Sequence, residues 1–213
     1  MKKIILLTTL ISLILSIGTF VSCKKKKGVY ILEGKIKDGT FVQNIANQTL
    51  QVKVLKAGSA SYVSYSTVTT DSDGKYHVEI ERDLLDKIRI EGTKNLYFPI
   101  SFTVSISDLT VGNVYTIDFT TTAKSWVNLI FHNVNGDSST ELKYIKTAGK
   151  QGCTECCPTT YQSLYGLVND TITCINDGNG YYGYNYEIVG TNVLDTRTVQ
   201  TPAFETAEII LNY

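Results

Sequence analysis

Three cysteines fall within five residues, Cys153, Cys156 and Cys157, and a fourth, Cys174, follows them. Thiols at this spacing allow three chemistries. A C-x-x-C pair with further thiolates can hold zinc. It can cycle as a dithiol. It can also close into disulfides if the compartment is oxidising. The second unusual stretch is INDGNGYYGYNYEIVG, residues 175–190. In a strand, Tyr182, Tyr184, Tyr186 and Ile188 share one face and Tyr181 lies on the other. Two readings follow: a core stripe behind a Gly/Asn hairpin tip, or a recognition surface. Tyrosine, glycine and asparagine make adaptable contacts at low entropic cost. Tyr181, Tyr182, Tyr184 and Tyr186 are therefore the candidate binding residues, with a protein or a glycan as ligand. Catalytic signatures are missing from the sequence. There are only two histidines, His77 and His132, and no G-x-S-x-G, P-loop, H-E-x-x-H or dinucleotide fingerprint. The expectation is a non-catalytic chain with no cofactor and no metal.

The N-terminus speaks to the compartment. Lys2 and Lys3 precede an uncharged run from Ile4 to Phe20, then Ser22, Cys23 and four lysines. A basic start, an apolar run and a small residue at the cut form an export signal. The alternative is an uncleaved helix, since Ile4 to Cys23 is about long enough to span a bilayer. Phe20-Val21-Ser22-Cys23 resembles the lipobox of bacterial lipoproteins. That resemblance implies a lipid on Cys23 and a mature chain that begins there, with membrane attachment through the lipid. Lys24 is not the aspartate of an inner-membrane retention signal, so the resemblance points to the outer membrane. Residues 1–22 are then the signal and 23–28 a lipidated basic tether.

Composition bounds what remains. Without Lys2, Lys3 and the four tether lysines, 14 basic side chains face 20 acidic ones, a net charge of about −6. No basic patch suggests nucleic acid. Three prolines and many Tyr, Thr, Val and Ile favour strands.

Period-two alternation recurs along the chain. Leu50, Val52 and Val54 share a face, as do Tyr76, Val78 and Ile80, and Ile88 with Ile90. Phe102, Val104 and Ile106 form another such set, and Tyr115, Ile117 and Phe119 a further one. WVNLIFHN turns Val127, Leu129 and Phe131 inward. LKYIK, DTITCI, GYNYEIVG, NVLDTRTVQT and AEIILNY supply later strands. One apolar and one wet face per strand is the mark of antiparallel sheets packed on one side. The fold class is all-β: two antiparallel β-sandwich domains, residues 29–122 and 123–213. The boundary falls near residues 120–125, and the second sandwich is immunoglobulin-like in strand content, with a Cys-rich excursion.

TVTTDSDGKYHVEI, residues 67–80, carries a turn in which Asp71 caps its own backbone and Gly74 accepts positive φ. Its T-x-T-D-x-x-G-x-Y pattern resembles the carboxypeptidase regulatory-like, or transthyretin-like, domains. Leu32 to Asp38 matches that family's opening G-x-V-x-D strand. The resemblance covers about residues 29–122 and implies a β-sandwich; it does not imply an activity. Asp71 and Asp73 have D-x-D spacing but lack the further carboxylates of a calcium cage, and a hairpin turn is the expected role.

An exported chain that commits Cys23 to lipid leaves four cysteines to pair. Bridging adjacent Cys156 and Cys157 conflicts with disulfide geometry. Two schemes remain, with Cys153 joined to Cys156 or to Cys157 and Cys174 joined to the other. The carbohydrate-binding alternative places exposed rings near residues 179–186.

Overall fold

The computed structural model describes residues 28–134 and 136–213. Cys23, the signal and most of the tether lie outside the described residues. Nine strands come before residue 122: β1 Val29–Asp38, β2 Gln43–Asn44, β3 Thr49–Lys56, β4 Tyr62–Thr69, β5 Lys75–Glu81, β6 Leu85–Gly92, β7 Ile100–Ser105, β8 Val114–Thr116 and β9 Phe119–Thr121. Seven follow: β10 Lys124–His132, β11 Glu141–Ala148, β12 Gln162–Tyr165, β13 Asn169–Asp177, β14 Gly180–Ile188, β15 Leu194–Thr201 and β16 Thr206–Asn212. Apart from two short 3₁₀ turns, Ile106–Asp108 and Thr154–Cys156, no helix occurs among the described residues.

The strands form four sheets. β1 carries β2 and β5 antiparallel and β8 and β9 parallel; it faces a sheet of order β4-β3-β6-β7. β13-β10-β16 faces β12-β11-β14-β15. Alternation puts one side of each strand between its pair of sheets. Leu32, Ile36, Leu50, Val52, Ile80, Ile88 and Ile90 are fully or almost fully buried in one cluster. Val127, Leu129, Phe131, Leu142, Cys174, Tyr182 and Leu211 are buried in a second. The first cluster runs from Tyr30 to Phe119 and the second from Val127 to Tyr213, so the chain passes from one core to the other between Phe119 and Val127. Antiparallel pairs dominate. Three parallel pairings add to them, and they tie the first strand of each lobe to its closing strands: β1 to β8 and β9, and β10 to β16.

Several expectations change in detail. VYTIDFT is not one strand but β8 and β9, split at Ile117 and Asp118. The split sits against Gly34, where a Cβ would lie 1.9 Å from the carbonyl oxygen of Ile117. That carbonyl accepts the Tyr76 hydroxyl at 2.7 Å, and Asp118 accepts the backbone N–H of Lys35 at 2.8 Å. Phe102 is 38% exposed on the edge strand β7, although its ring still meets Phe119 edge-on.

The two Asp/Gly turns are corners rather than hairpins. β4 and β5 belong to different sheets, and so do β13 and β14. Asp71 accepts the N–H groups of Asp73 and Lys75 at 2.9 and 2.8 Å, which commits its carboxylate to the first corner. Turn chemistry reverses the chain in either case; which sheet takes up the next strand depends on the core it must cover.

Candidate functional site

The cysteine-rich corner is built from the end of β11, the loop behind it, and β13 and β14. Cys153 pairs with Cys156 and Cys157 with Cys174, with Cα separations of 5.2 and 5.5 Å. This is one of the two schemes the sequence left open. Four residues lie in the first ring, whereas the second bridge joins positions 17 apart. Cys156 and Cys174 are fully buried; Cys153 and Cys157 are half-buried. Adjacent cysteines can reach different partners because Cys157 adopts φ 60° and ψ 149°. That region is costly for a residue with a side chain and persists only where the surroundings hold it.

Lys146 holds this loop. LKYIK alternates as a strand, so Lys146 shares the inner face with Leu142 and Tyr144 and is only 6% exposed. Its ammonium donates to the carbonyls of Lys150 at 2.5 Å, Cys156 at 2.6 Å and Cys157 at 3.2 Å. The ring of Tyr182 lies 5.2 Å away. Burial pushes the Lys146 pKa below the ordinary lysine range. The Tyr182 hydroxyl donates to the Cys156 carbonyl at 3.1 Å and lies 3.4 Å from the Tyr184 hydroxyl. Burial raises both phenols. Gly149, at φ 116°, lets the chain cross Tyr182, since a Cβ there would lie 2.3 Å from the ring. Lys146 was not among the residues singled out from the sequence. The signal was present: a lysine in phase with the apolar residues of its strand.

The structure separates the four tyrosines. Tyr182, Tyr184 and Tyr186 are buried among the second core, where Tyr144 stacks at a tilt on Tyr184. They cannot form a recognition surface, because the alternation that groups them also turns them inward. Tyr181 remains, 63% exposed. It stands on the outer face of β14, opposite Gln200 of β15. Two residues on, Gly183 is buried, and a Cβ there would meet the hydroxyls of Thr198 and Thr147 at 3.0 and 3.1 Å. Thr196 donates to Asn185 at 2.9 Å beside it. This part of the sheet face is neutral and polar.

The corner also connects the two lobes. Lys150 pairs with Asp177 at 2.7 Å, and Asp177 accepts the Thr122 hydroxyl. Gly178 donates to the Ala123 carbonyl and Asn179 to that of Thr201, so the Gly/Asn turn is tied at both ends. Beside it, Phe204 stacks on Phe41 with centroids 5.7 Å apart and meets Tyr97 edge-on at 5.5 Å. Tyr97 donates to Asp38 at 2.8 Å, and Lys150 lies 4.0 Å over Phe98.

Elsewhere, a groove of about 810 Å³ runs along the solvent face of β1 and β5, lined by Glu33, Lys35, Lys37, Lys75, His77 and Asp118. His77 lies 3.6 Å from both Glu33 and Glu79. His132 is exposed at the end of β10. No group of three or more metal-ligating side chains occurs among the described residues, and all four cysteines there are taken by disulfides.

No protein-family model matches the chain, and no curated protein matches it. Among solved structures it is similar to a streptococcal ancillary pilin, at 12% identity and TM-score 0.37, covering 88% of this chain and 63% of that one. It is similar to GBS52, the minor pilin of Streptococcus agalactiae, at 10% identity and TM-score 0.34, covering 86% and 94%. It is similar to the Bacillus anthracis TIE protein, at 13% identity and TM-score 0.37, covering 87% of this chain. The chain spans 34% of the TIE protein's length. Similarity at this level bears on neither activity nor partners.

Proposed function

We propose that the chain is a membrane-anchored lipoprotein of the cell envelope whose folded part is a non-catalytic structural or binding module. The observation that carries this reading is the junction between the lobes. Only Thr122 and Ala123 separate β9 from β10, and both are pinned: Thr122 to Asp177, and the Ala123 N–H to the Thr40 hydroxyl at 2.9 Å. The Phe41, Tyr97 and Phe204 rings pack across the same seam. Two sandwiches joined this way transmit force and hold a surface at a set distance, which suits a tethered module. The Phe20 to Cys23 pattern supports the anchor, and the T-x-T-D-x-x-G-x-Y pattern supports a transthyretin-like first lobe. Metabolic labelling with a fatty acid tests the anchor. The label should enter the wild-type chain and be lost in Cys23→Ala; a label that survives the substitution removes the lipoprotein reading.

A second reading, carbohydrate binding, is favoured by one feature. Tyr181 is exposed on a neutral stretch of the sheet that carries the Thr147 and Thr198 hydroxyls and Gln200. An exposed ring next to neutral hydrogen-bonding groups suits a sugar face. Tyr182 is not part of such a site. A glycan array on the folded part should show binding that Tyr181→Ala abolishes; an array without hits, or hits indifferent to the substitution, removes this reading.

A further inference from the structure

We propose that the Cys153–Cys156 disulfide is a thiol-exchange site, at which an external thiolate is captured on Cys153 while Cys157–Cys174 stays closed as the staple of the loop.

Three observations bear on the outer bridge. First, access differs within the outer bridge. Cys153 is half-buried and flanked by exposed Gln151, Gly152, Thr154 and Glu155, whereas Cys156 is fully buried. An incoming thiolate can reach only the Cys153 sulfur. In the other bridge Cys174 lies fully buried in β13, and Cys157, half-buried like Cys153, packs against the second core, which Cys153 does not.

Second, a cation is bound to the backbone of the leaving cysteine. Lys146 is bound to the carbonyls of Cys156 and Cys157, and no carboxylate among the described residues pairs with it. A positive charge close to a cysteine favours its thiolate, and a better leaving thiolate speeds exchange.

Third, opening this bridge leaves the loop in place. Lys146 still ties the carbonyls of Lys150, Cys156 and Cys157, and Cys157–Cys174 still joins the loop to β13. The outer bridge is therefore the one whose rupture the fold can tolerate.

The step balances as a single displacement. The external sulfur forms a bond to Cys153 Sγ. The Cys153–Cys156 bond breaks, and its electron pair remains on Cys156 Sγ as a thiolate. The thiolate's return to Cys153 expels the external thiol, so capture is reversible. A second thiol on the external molecule could complete its own oxidation and leave both cysteines reduced. This site lies beyond the structural or binding role proposed above and does not depend on the lipid anchor.

The test uses the full chain under native conditions. The protein is exposed to graded reduced glutathione or, separately, to an unstructured peptide with one cysteine. It is then quenched with an alkylating agent and mapped by mass spectrometry. The expected product carries the external thiol on Cys153 and an alkyl group on Cys156. It should form at thiol concentrations at least about tenfold below those that open Cys157–Cys174, with near-ultraviolet circular dichroism unchanged. The faster of the two arms identifies a small thiol or a protein cysteine as the source. In Lys146→Met, capture should slow by about tenfold. If that variant loses its native signal, the map on the unsubstituted protein decides alone. An adduct on any other cysteine, opening of both bridges together, or no adduct from either thiol overturns the proposal.

Discussion

The ammonium of Lys146 donates to the carbonyl of Cys156 at 2.6 Å, inside a strand-lined core and with no carboxylate partner among the described residues. A lysine here carries the desolvation cost of its charge, and three backbone carbonyls repay that cost. Lys146→Met keeps the length and removes the donor, leaving those carbonyls unsatisfied. The expected loss is about 2 kcal/mol in urea unfolding, net of the relieved desolvation. An unchanged or raised midpoint would mean that the charge costs more than its bonds return.

The two disulfides should be unequal as staples. Closing the separation of 17 residues between Cys157 and Cys174 contributes about 3 kcal/mol in the chain-entropy model. The Cys157→Ser, Cys174→Ser double variant should lose roughly that much, and Cys153→Ser, Cys156→Ser clearly less. Unreduced protein should weigh four hydrogens less than its reduced form, two for each bridge; four free thiols would contradict both pairings.

Phe204 makes an inverted prediction. It adopts φ 68°, a conformation costly for any residue with a Cβ. Its ring contacts with Phe41 and Tyr97 offset that strain. Phe204→Ala loses the rings and keeps the strain. Phe204→Gly loses the rings and relieves it. Glycine should therefore be the milder substitution by about 1 kcal/mol, the reverse of the usual order. Thermal unfolding of the two variants decides the sign.

Tyr97 sets an alkaline limit. Burial, and then its hydrogen bond to the Asp38 carboxylate, push its pKa up to about 12. In the unfolded chain the phenol ionises near the ordinary value of 10.0. Between the two, the unfolded state has lost a proton that the folded state keeps, so stability falls as pH rises. The contribution is complete below pH about 10 and is lost through pH about 12. Tyr97→Phe has no phenol to ionise, so its stability should fall less over that interval. Equal slopes for the two proteins would show that the folded state does not hold the Tyr97 proton above its ordinary range.

How much of this was legible beforehand follows from which interactions are local. The faces of β3, β5, β6, β10 and β14 could be read directly, because a period of two places Val52, Val78, Ile90, Leu129 and Tyr184 on a single side wherever the strand goes. The same rule put Tyr182, Tyr184 and Tyr186 together. It could not say whether that side met a core or water, and the structure turned all three inward. The cysteine problem reduced to two pairings on geometry alone, but the choice between them required the third dimension.

What the sequence determined by itself, then, is the strand content, the residues that share each face, and the even set of cysteines after Cys23. These depend on neighbours one to four positions away. Tertiary structure alone decided the rest. It made corners of the turns at Asp71–Gly74 and Asp177–Gly180, since the next strand pairs with whichever sheet the core requires. It laid the last strand of each lobe parallel to the first. It brought Lys146, Cys156 and Tyr182 to one point, although the outer two are 36 positions apart. A buried donor must find acceptors wherever the fold supplies them, and nothing in the local sequence records where those acceptors will be.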